Sequence, residues 1–169
     1  MGEQKTTASS VNRAKTYQLV LFPLNNGATN VYYVLVLSYI ATFGSKVLAL
    51  SMLFASVMVT GMRLFDAITD PIIGALMDRT NGKFGKFRPF MVIGNLIMAA
   101  SILVLYCLTP LIPASAMGLR YAAFVALYAV WVIGYTFQTS CTRSGQTVLT
   151  NDPKQRPLFT IFNLSLIHI

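Results

Sequence analysis

Arg63-Leu64-Phe65-Asp66-Ala67-Ile68-Thr69-Asp70-Pro71, followed by Gly74-Ala75-Leu76-Met77-Asp78-Arg79 and Gly82-Lys83-Phe84-Gly85-Lys86-Phe87-Arg88-Pro89, is the stretch on which the rest of the chain turns. It continues an apolar run with no charged residue between Lys46 and Arg63. On a helix, Asp66 and Asp70 stand one turn apart on one face, and Arg63 precedes Asp66 on that face. Counted back from Asp78 at ~1.5 Å per residue, the two carboxylates lie roughly 12–18 Å inside the run. In a bilayer-spanning helix such groups are costly, face the protein interior or a wet cavity, and mark an ion or proton site.

Pro71 has no N–H to give the carbonyl of Ala67, so it leaves an oxygen acceptor beside both carboxylates. Freed carbonyls at disturbed helix turns ligate Na+ or shelter protons in transporters. The competing reading is a kinked helix in which Arg63 neutralises Asp66 as a structural ion pair. Two acids against one base leave one negative charge in a poor solvent, and a monovalent cation would supply the balance. Asp66 and Asp70 are therefore the candidate cation ligands (for Na+, if sodium is the ion), with Arg63 as the charge-balancing residue.

Outward from this stretch, the composition names a membrane protein. The 169 residues are 55% hydrophobic and 11% charged, against about 25% charged in soluble domains. Thirteen basic and five acidic residues give a net charge of +8. The basic residues sit in short segments between apolar runs, without an aromatic-basic platform or zinc spacing, so membrane orientation explains them and a nucleic-acid partner does not. Cys107 and Cys141 fall in apolar or helix-end positions outside any CxxC or Cys/His cluster and read as small hydrophobes. No cleavable signal pattern precedes the first apolar run.

The pattern predicts an all-α, polytopic transmembrane bundle. Residues 1–16 read as a short disordered cytoplasmic arm. Spans are expected at about 17–43, 47–77, 90–111 and 121–139, with a fifth beginning at 157. The first holds an unusually polar middle, Pro23-Leu24-Asn25-Asn26-Gly27-Ala28-Thr29-Asn30, which reads as substrate-lining or as helix packing through small residues. Phe43–Lys46 is expected to turn the chain into the second span. The loop 78–89 carries Arg79, Lys83, Lys86 and Arg88 against Asp78, so it and the N-terminus are expected in the cytoplasm. Only Arg120 lies near the opposite turn, and Arg143, Lys154 and Arg156 follow the fourth span.

Phe65-Asp66-Ala67-Ile68-Thr69-Asp70-Pro71, then Gly74, Asp78-Arg79 and Gly85-Lys86-Phe87-Arg88-Pro89, resembles the glycoside-pentoside-hexuronide:cation symporters of the major facilitator superfamily. The resemblance covers about residues 17–162. It implies twelve spans in two six-helix halves, of which this chain holds four and the start of a fifth from the N-terminal half. It implies sugar and cation (Na+, H+ or Li+) bound between the halves by alternating access, with no other cofactor and no enzymatic activity. Asp66 and Asp70 match the family's cation-binding carboxylates, Thr69 stands where an Asn contributes, and Thr136 matches a span-four hydroxyl ligand. Asn30 or Thr29 stands near a sugar-binding Asp, Thr139 replaces a second Asp, and Arg143 stands near a sugar-stacking Trp. Asn26, Thr29, Asn30 and Thr139 are thus the expected substrate-lining residues. Arg143 suits an acidic sugar or a cytoplasmic helix-end charge, the latter favoured. Gly74, Asp78, Arg79 and Lys86 match the cytoplasmic gate loop, where glycine permits close helix approach.

The family-like pattern breaks at residues 164–169, Leu164-Ser165-Leu166-Ile167-His168-Ile169. This hexapeptide resembles the translation of a transposase sequencing-library adapter (CTG TCT CTT ATA CAC ATC), so it is expected to be an artefact and His168 is given no role. The expected partners are a small sugar, a monovalent cation, the bilayer of the cytoplasmic membrane and the missing C-terminal half. A membrane sensor or scaffold built on a facilitator half is the alternative. An intramembrane aspartyl protease fits poorly, because both aspartates lie on one helix and no Gly-x-Gly-Asp motif is present.

Overall fold

The computed structural model describes residues 13–80, 87–150 and 152–167. They form five α-helices in order: α1 (Thr16–Lys46), α2 (Met52–Arg79), α3 (Arg88–Leu103), α4 (Met117–Leu149) and α5 (Gln155–Ile167), with no strand among the described residues. The stretches Met52–Arg79, Arg88–Leu111 and Ala114–Gly145 are each long and apolar enough to cross a membrane. At 31 residues α1 has the length to cross, but Asn25, Asn26 and Asn30 dilute its apolarity. Pro71 lies inside α2 without ending it, as Pro23 does in α1.

Several boundaries differ from the sequence expectation. Phe43–Lys46 is the last turn of α1 and not a connection. The chain reverses one turn later, where Ala49 takes a left-handed φ of 57° and Leu48 and Leu50 are buried. After α3, a π turn over Val104–Leu108 and a 3-10 turn over Thr109–Leu111 carry the chain to the opposite end. α4 runs ten residues beyond Thr139, to Leu149, because the Thr139 and Thr142 hydroxyls donate to carbonyls one turn back within the helix and do not end it. α5 stays helical from Gln155 to Ile167, so the Leu164–Ile167 segment is drawn into an apolar helical run.

Lipid is as apolar as leucine, so helix association here rests on close packing of small residues and on polar contacts. The α3–α4 crossing shows the first. A Cβ on Gly94 would meet Phe137 Cβ at 2.8 Å and the Gly134 carbonyl oxygen at 3.0 Å, and one on Gly134 would meet Met98 Cγ at 2.9 Å. Only glycine lets these two backbones approach. The core beside this crossing is built by Val36, Ile40, Met98, Phe124, Tyr128 and Trp131. Leu53, Leu64, Leu96 and Leu111 face outward, as lipid-facing leucines do.

Polar contacts supply the rest. Arg120, expected beside an outward turn, is buried at 9% exposure. Its Nε and Nη2 donate to the Ile112 carbonyl at 3.0 and 2.6 Å, and its Nη1 donates to the Leu48 carbonyl at 3.0 Å. One guanidinium thus ties the α1–α2 turn to the α3–α4 turn.

At the other end, residues 13–15 of the expected arm are held. Arg13 Nε donates to Asp152 Oδ2 at 2.8 Å. The Gln155 side chain accepts from Ala14 N at 2.9 Å and donates to Ala14 O at 3.3 Å. The Lys154 backbone N–H on Asp152, with Arg13 beside it, holds that carboxyl below its ordinary range. A depressed carboxylate stabilises above its unfolded pKa and is lost only as pH falls through the lowered value, so this clasp persists at neutral pH. It anchors the start of α1 to α5, where Phe22 meets Phe159 edge-on at 6.1 Å.

Candidate cation and substrate site

The site forms where α2, α4 and α1 converge. On α4, positions 132, 135, 136, 139 and 143 recur at helical spacing and share a face. Thr136 is fully buried, and its hydroxyl donates to Asp66 Oδ1 at 2.7 Å across the α2–α4 interface. The same hydroxyl lies 3.0 Å from the Val132 carbonyl, and its single proton serves one acceptor at a time. Thr69 Oγ1 stands 3.4 Å from Thr136 Oγ1 while donating to the Asp66 carbonyl at 3.1 Å. Asp66, Thr69 and Thr136 therefore converge as an oxygen-rich cluster between two helices.

Asp70, one turn on, faces Arg143: Nη1 lies 3.6 Å from Oδ2, with side-chain exposures of 75% for Arg143 and 35% for Asp70. The contact is an ion pair too long for a hydrogen bond. Arg143 is thus not a helix-end charge. Because α4 extends to Leu149, residue 143 lies inside the helix and reaches α2. Arg63 does not close on Asp66. Its guanidinium sits over the Tyr33 ring at 5.1 Å, a cation–π contact.

Arg63 and Asp66 line a small cavity of about 10 Å³ together with Tyr33, Tyr128, Trp131 and Tyr135, room for about one water-sized guest. The aromatic wall is continuous. Tyr33 stacks on Tyr135 at 4.1 Å and on Trp131 at 5.8 Å, and Tyr128 stacks on Trp131 at 5.8 Å. Trp131 Nε1 is buried without a hydrogen-bond partner. Sequence reasoning gave these aromatic residues no role in the site. Their spacing at 128, 131 and 135, one face of α4, was the signal available.

The substrate-lining expectations divide. Asn26 and Asn30 lie on the α1 face that also carries Tyr33 and Leu37, and Asn30 Nδ2 donates to the Asn26 carbonyl at 2.9 Å. Thr29 is on the other face. It donates to the Asn25 carbonyl at 2.9 Å and borders a cleft of about 360 Å³ between α1 and α3 with Asn95 and Met98. Thr29 borders this cleft and not the carboxylates, since the one-residue offset from Asn30 turns it about 100° round α1. Thr139 lies on the site face of α4, but its hydroxyl is turned to the Tyr135 and Thr136 carbonyls, 3.2 Å each.

The gate-loop residues are less gathered. A Cβ on Gly74 would meet nothing within 4 Å, so among the described residues no close helix approach explains this glycine. Asp78 and Arg79 are exposed at the end of α2, and Lys86 lies outside the described residues. Among the described residues no cluster of three His, Cys, Asp or Glu is placed to hold a metal ion. The oxygen donors around Asp66 are one carboxylate and two hydroxyls, a set suited to a weakly held hard cation or a proton.

Long apolar helices enclosing a carboxylate–hydroxyl pair define a polytopic membrane protein with an intramembrane polar site. A family model described as MFS/sugar transport protein matches residues 22–166, and the chain belongs to that family. It is 30% identical over 138 residues to the inner membrane symporter YicJ of Escherichia coli (strain K12), covering 80% of this chain and 28% of that protein. It is 37% identical over 119 residues to the putative glycoside/cation symporter YagG of the same organism, covering 69% and 25%. The glucuronide carrier protein homolog of Escherichia coli (strain K12) is 28% identical over 142 residues, covering 82% and 30%. The chain spans about a quarter of the length of the relatives it matches. These relatives agree with the glycoside-pentoside-hexuronide:cation symporter resemblance. They are transport proteins and not enzymes, so the aspartyl protease reading falls.

Proposed function

We propose that this chain is the N-terminal part of a secondary transporter that moves a sugar together with a monovalent cation by alternating access. The observation that carries this reading is the Thr136 hydroxyl on Asp66 at 2.7 Å, joining α4 to α2. A cation arriving at Asp66 takes an oxygen ligand from each helix, so its binding energy is available to change how the two helices pack. The symporter names of YicJ and YagG and the glucuronide name of a third relative support a sugar as the cargo. The missing C-terminal half would supply the other wall of the sugar site. The test is accumulation of a radiolabelled sugar panel by the complete protein in proteoliposomes under imposed Na+, Li+ or H+ gradients. Uphill accumulation under one gradient is expected. Sugar movement that only equilibrates under every gradient would refute coupling.

The reading includes an orientation in the cytoplasmic membrane with the N-terminus inside. Arg79, Arg88, Lys154 and Arg156 cluster on one side while the 111–119 turn is uncharged, and positive loops stay cytoplasmic. The Arg13–Asp152 pair puts residue 13, just ahead of α1, on the side of the α4–α5 connection. In sealed cells, a cysteine at Lys154 is expected to react only with reagents admitted to the cytoplasm, and one at Ser115 only with external reagents. The opposite labelling would invert the topology.

A further inference from the structure

We propose that Asn25 and Asn95 form a polar seat for a further transmembrane helix, the span that follows α5 in the complete protein. That helix brings a side-chain amide or hydroxyl to meet them. The inference concerns how the bundle is completed, and it stands whether or not transport is coupled to a cation.

The cleft of about 360 Å³ between α1 and α3 is lined by Asn25, Thr29 and Tyr32 from one helix and by Asn95 and Met98 from the other. Both asparagines lie well inside their helices, Asn25 ~13 Å along the axis from Thr16 and Asn95 ~10 Å from Arg88. Asn25 Nδ2 is buried without a hydrogen-bond partner, and Asn95 is exposed in the wall of an apolar span. Thr29 spends its hydroxyl proton on the Asn25 carbonyl at 2.9 Å, so it gives nothing to either amide.

Side-chain amides left unpaired in hydrocarbon are costly. Acyl chains filling the cleft would leave them so. A helix carrying Ser, Thr, Asn or Gln offers a partner to both, and a half-turn of the Asn25 amide about Cβ–Cγ, a soft torsion, presents Nδ2 to it. Ala28 and Ala99, also in the wall, are small enough to let a third backbone approach.

The path of the chain supplies that helix. The Gln155 side chain bonds to Ala14 at the start of α1 and α5, and Phe159 meets Phe22 further along, so α5 runs parallel to α1 on one flank. Another face of α1 is taken by Tyr33 stacking on α4. Leu24, Val31 and Leu35 remain exposed and share with Ala28 a stripe along the cleft edge. A span joined to α5 by a short turn returns antiparallel beside it, over this stripe and into the cleft. The chain covers 28% and 25% of the relatives YicJ and YagG, which leaves ample length for that span.

The experiment uses the complete protein, with its other reactive cysteines removed. Asn95→Cys is paired with single cysteines at successive positions of the span after α5, and each pair is treated with a short bis-maleimide. Intact mass separates a bridged protein, carrying one reagent, from an unbridged one carrying two. Bridging is expected at positions three or four residues apart, one helix face, and Ala99→Cys is expected to bridge to the same face about one turn away. Asn25→Leu and Asn95→Leu are each expected to lower the melting temperature by roughly 2 °C, because the partner side chain is left unpaired. On a lipid-covered surface the same substitutions would raise it. Bridges between two copies, seen at twice the mass, would assign the cleft to self-association. Failure of both cysteines to bridge would leave it to lipid. Either result, or a raised melting temperature for both leucine variants, overturns the proposal.

Discussion

Asp66→Asn is expected to abolish cation-driven accumulation in the complete transporter while leaving downhill sugar exchange measurable. The substitution nearly keeps volume but removes the charge and one strong oxygen acceptor. The Thr136 hydroxyl, 2.7 Å from Oδ1, then donates to an uncharged amide oxygen or turns to the Val132 carbonyl, 3.0 Å away. Hydrogen bonds and contacts to a charged group contribute about 1.5–3 kcal/mol each, so cation affinity is expected to fall roughly 10–100-fold. Asp70→Asn is expected to be milder, because Asp70 already shares its charge with Arg143 at 3.6 Å. Vesicle uptake under an imposed gradient measures both. Parental accumulation by both variants would make the pair structural. Equal total loss in both would show that the two carboxylates bind the cation as one unit.

The second large effect is on stability. Arg120→Ala is expected to lower it by about 3–5 kcal/mol, since it removes charge-assisted bonds and leaves the Leu48 and Ile112 carbonyls without their donor. Arg120 makes contacts of 3.0, 3.0 and 2.6 Å to those two oxygens, and Leu48 is fully buried. No carboxylate pairs with Arg120 among the described residues, so carbonyl dipoles alone hold its charge. Arg120→Lys is expected to be intermediate, because a point charge with a flexible stem cannot bridge both turns as the guanidinium fork does. Thermal unfolding of detergent-solubilised protein separates the three, with a fall of roughly 10 °C for the Ala variant. A melting temperature unchanged by Arg120→Ala would show that the two turns are held by apolar packing instead.

Much of this was legible along the chain. Apolar runs of bilayer length, interrupted by short basic segments, determine an all-α membrane bundle, because lipid offers no other way to satisfy backbone polar groups. The spacing of Asp66, Thr69 and Asp70 placed them on one helix face. The resemblance brought Thr136 to them, and the structure joins Thr136 to Asp66 across two helices. These readings depend on local periodicity and on a short motif, which is why they survive translation into three dimensions.

What the tertiary structure decided concerns partners far apart in the chain. Arg143 lies 73 positions after Asp70, and only the continuation of α4 to Leu149 brings them within 3.6 Å. From sequence the site held two acids and one base; folded, Arg143 joins Asp70 and the site holds two of each. Arg120 read as a loop charge because its acceptors are backbone carbonyls, which every sequence contains and none advertises. Arg13 meets Asp152, and Ala14 meets Gln155, across separations of 139 and 141 residues that no local pattern announces. Helix faces follow from a 3.6-residue period and can be read from the chain alone. Which face meets which, and therefore which charges neutralise one another, is set by how the helices pack.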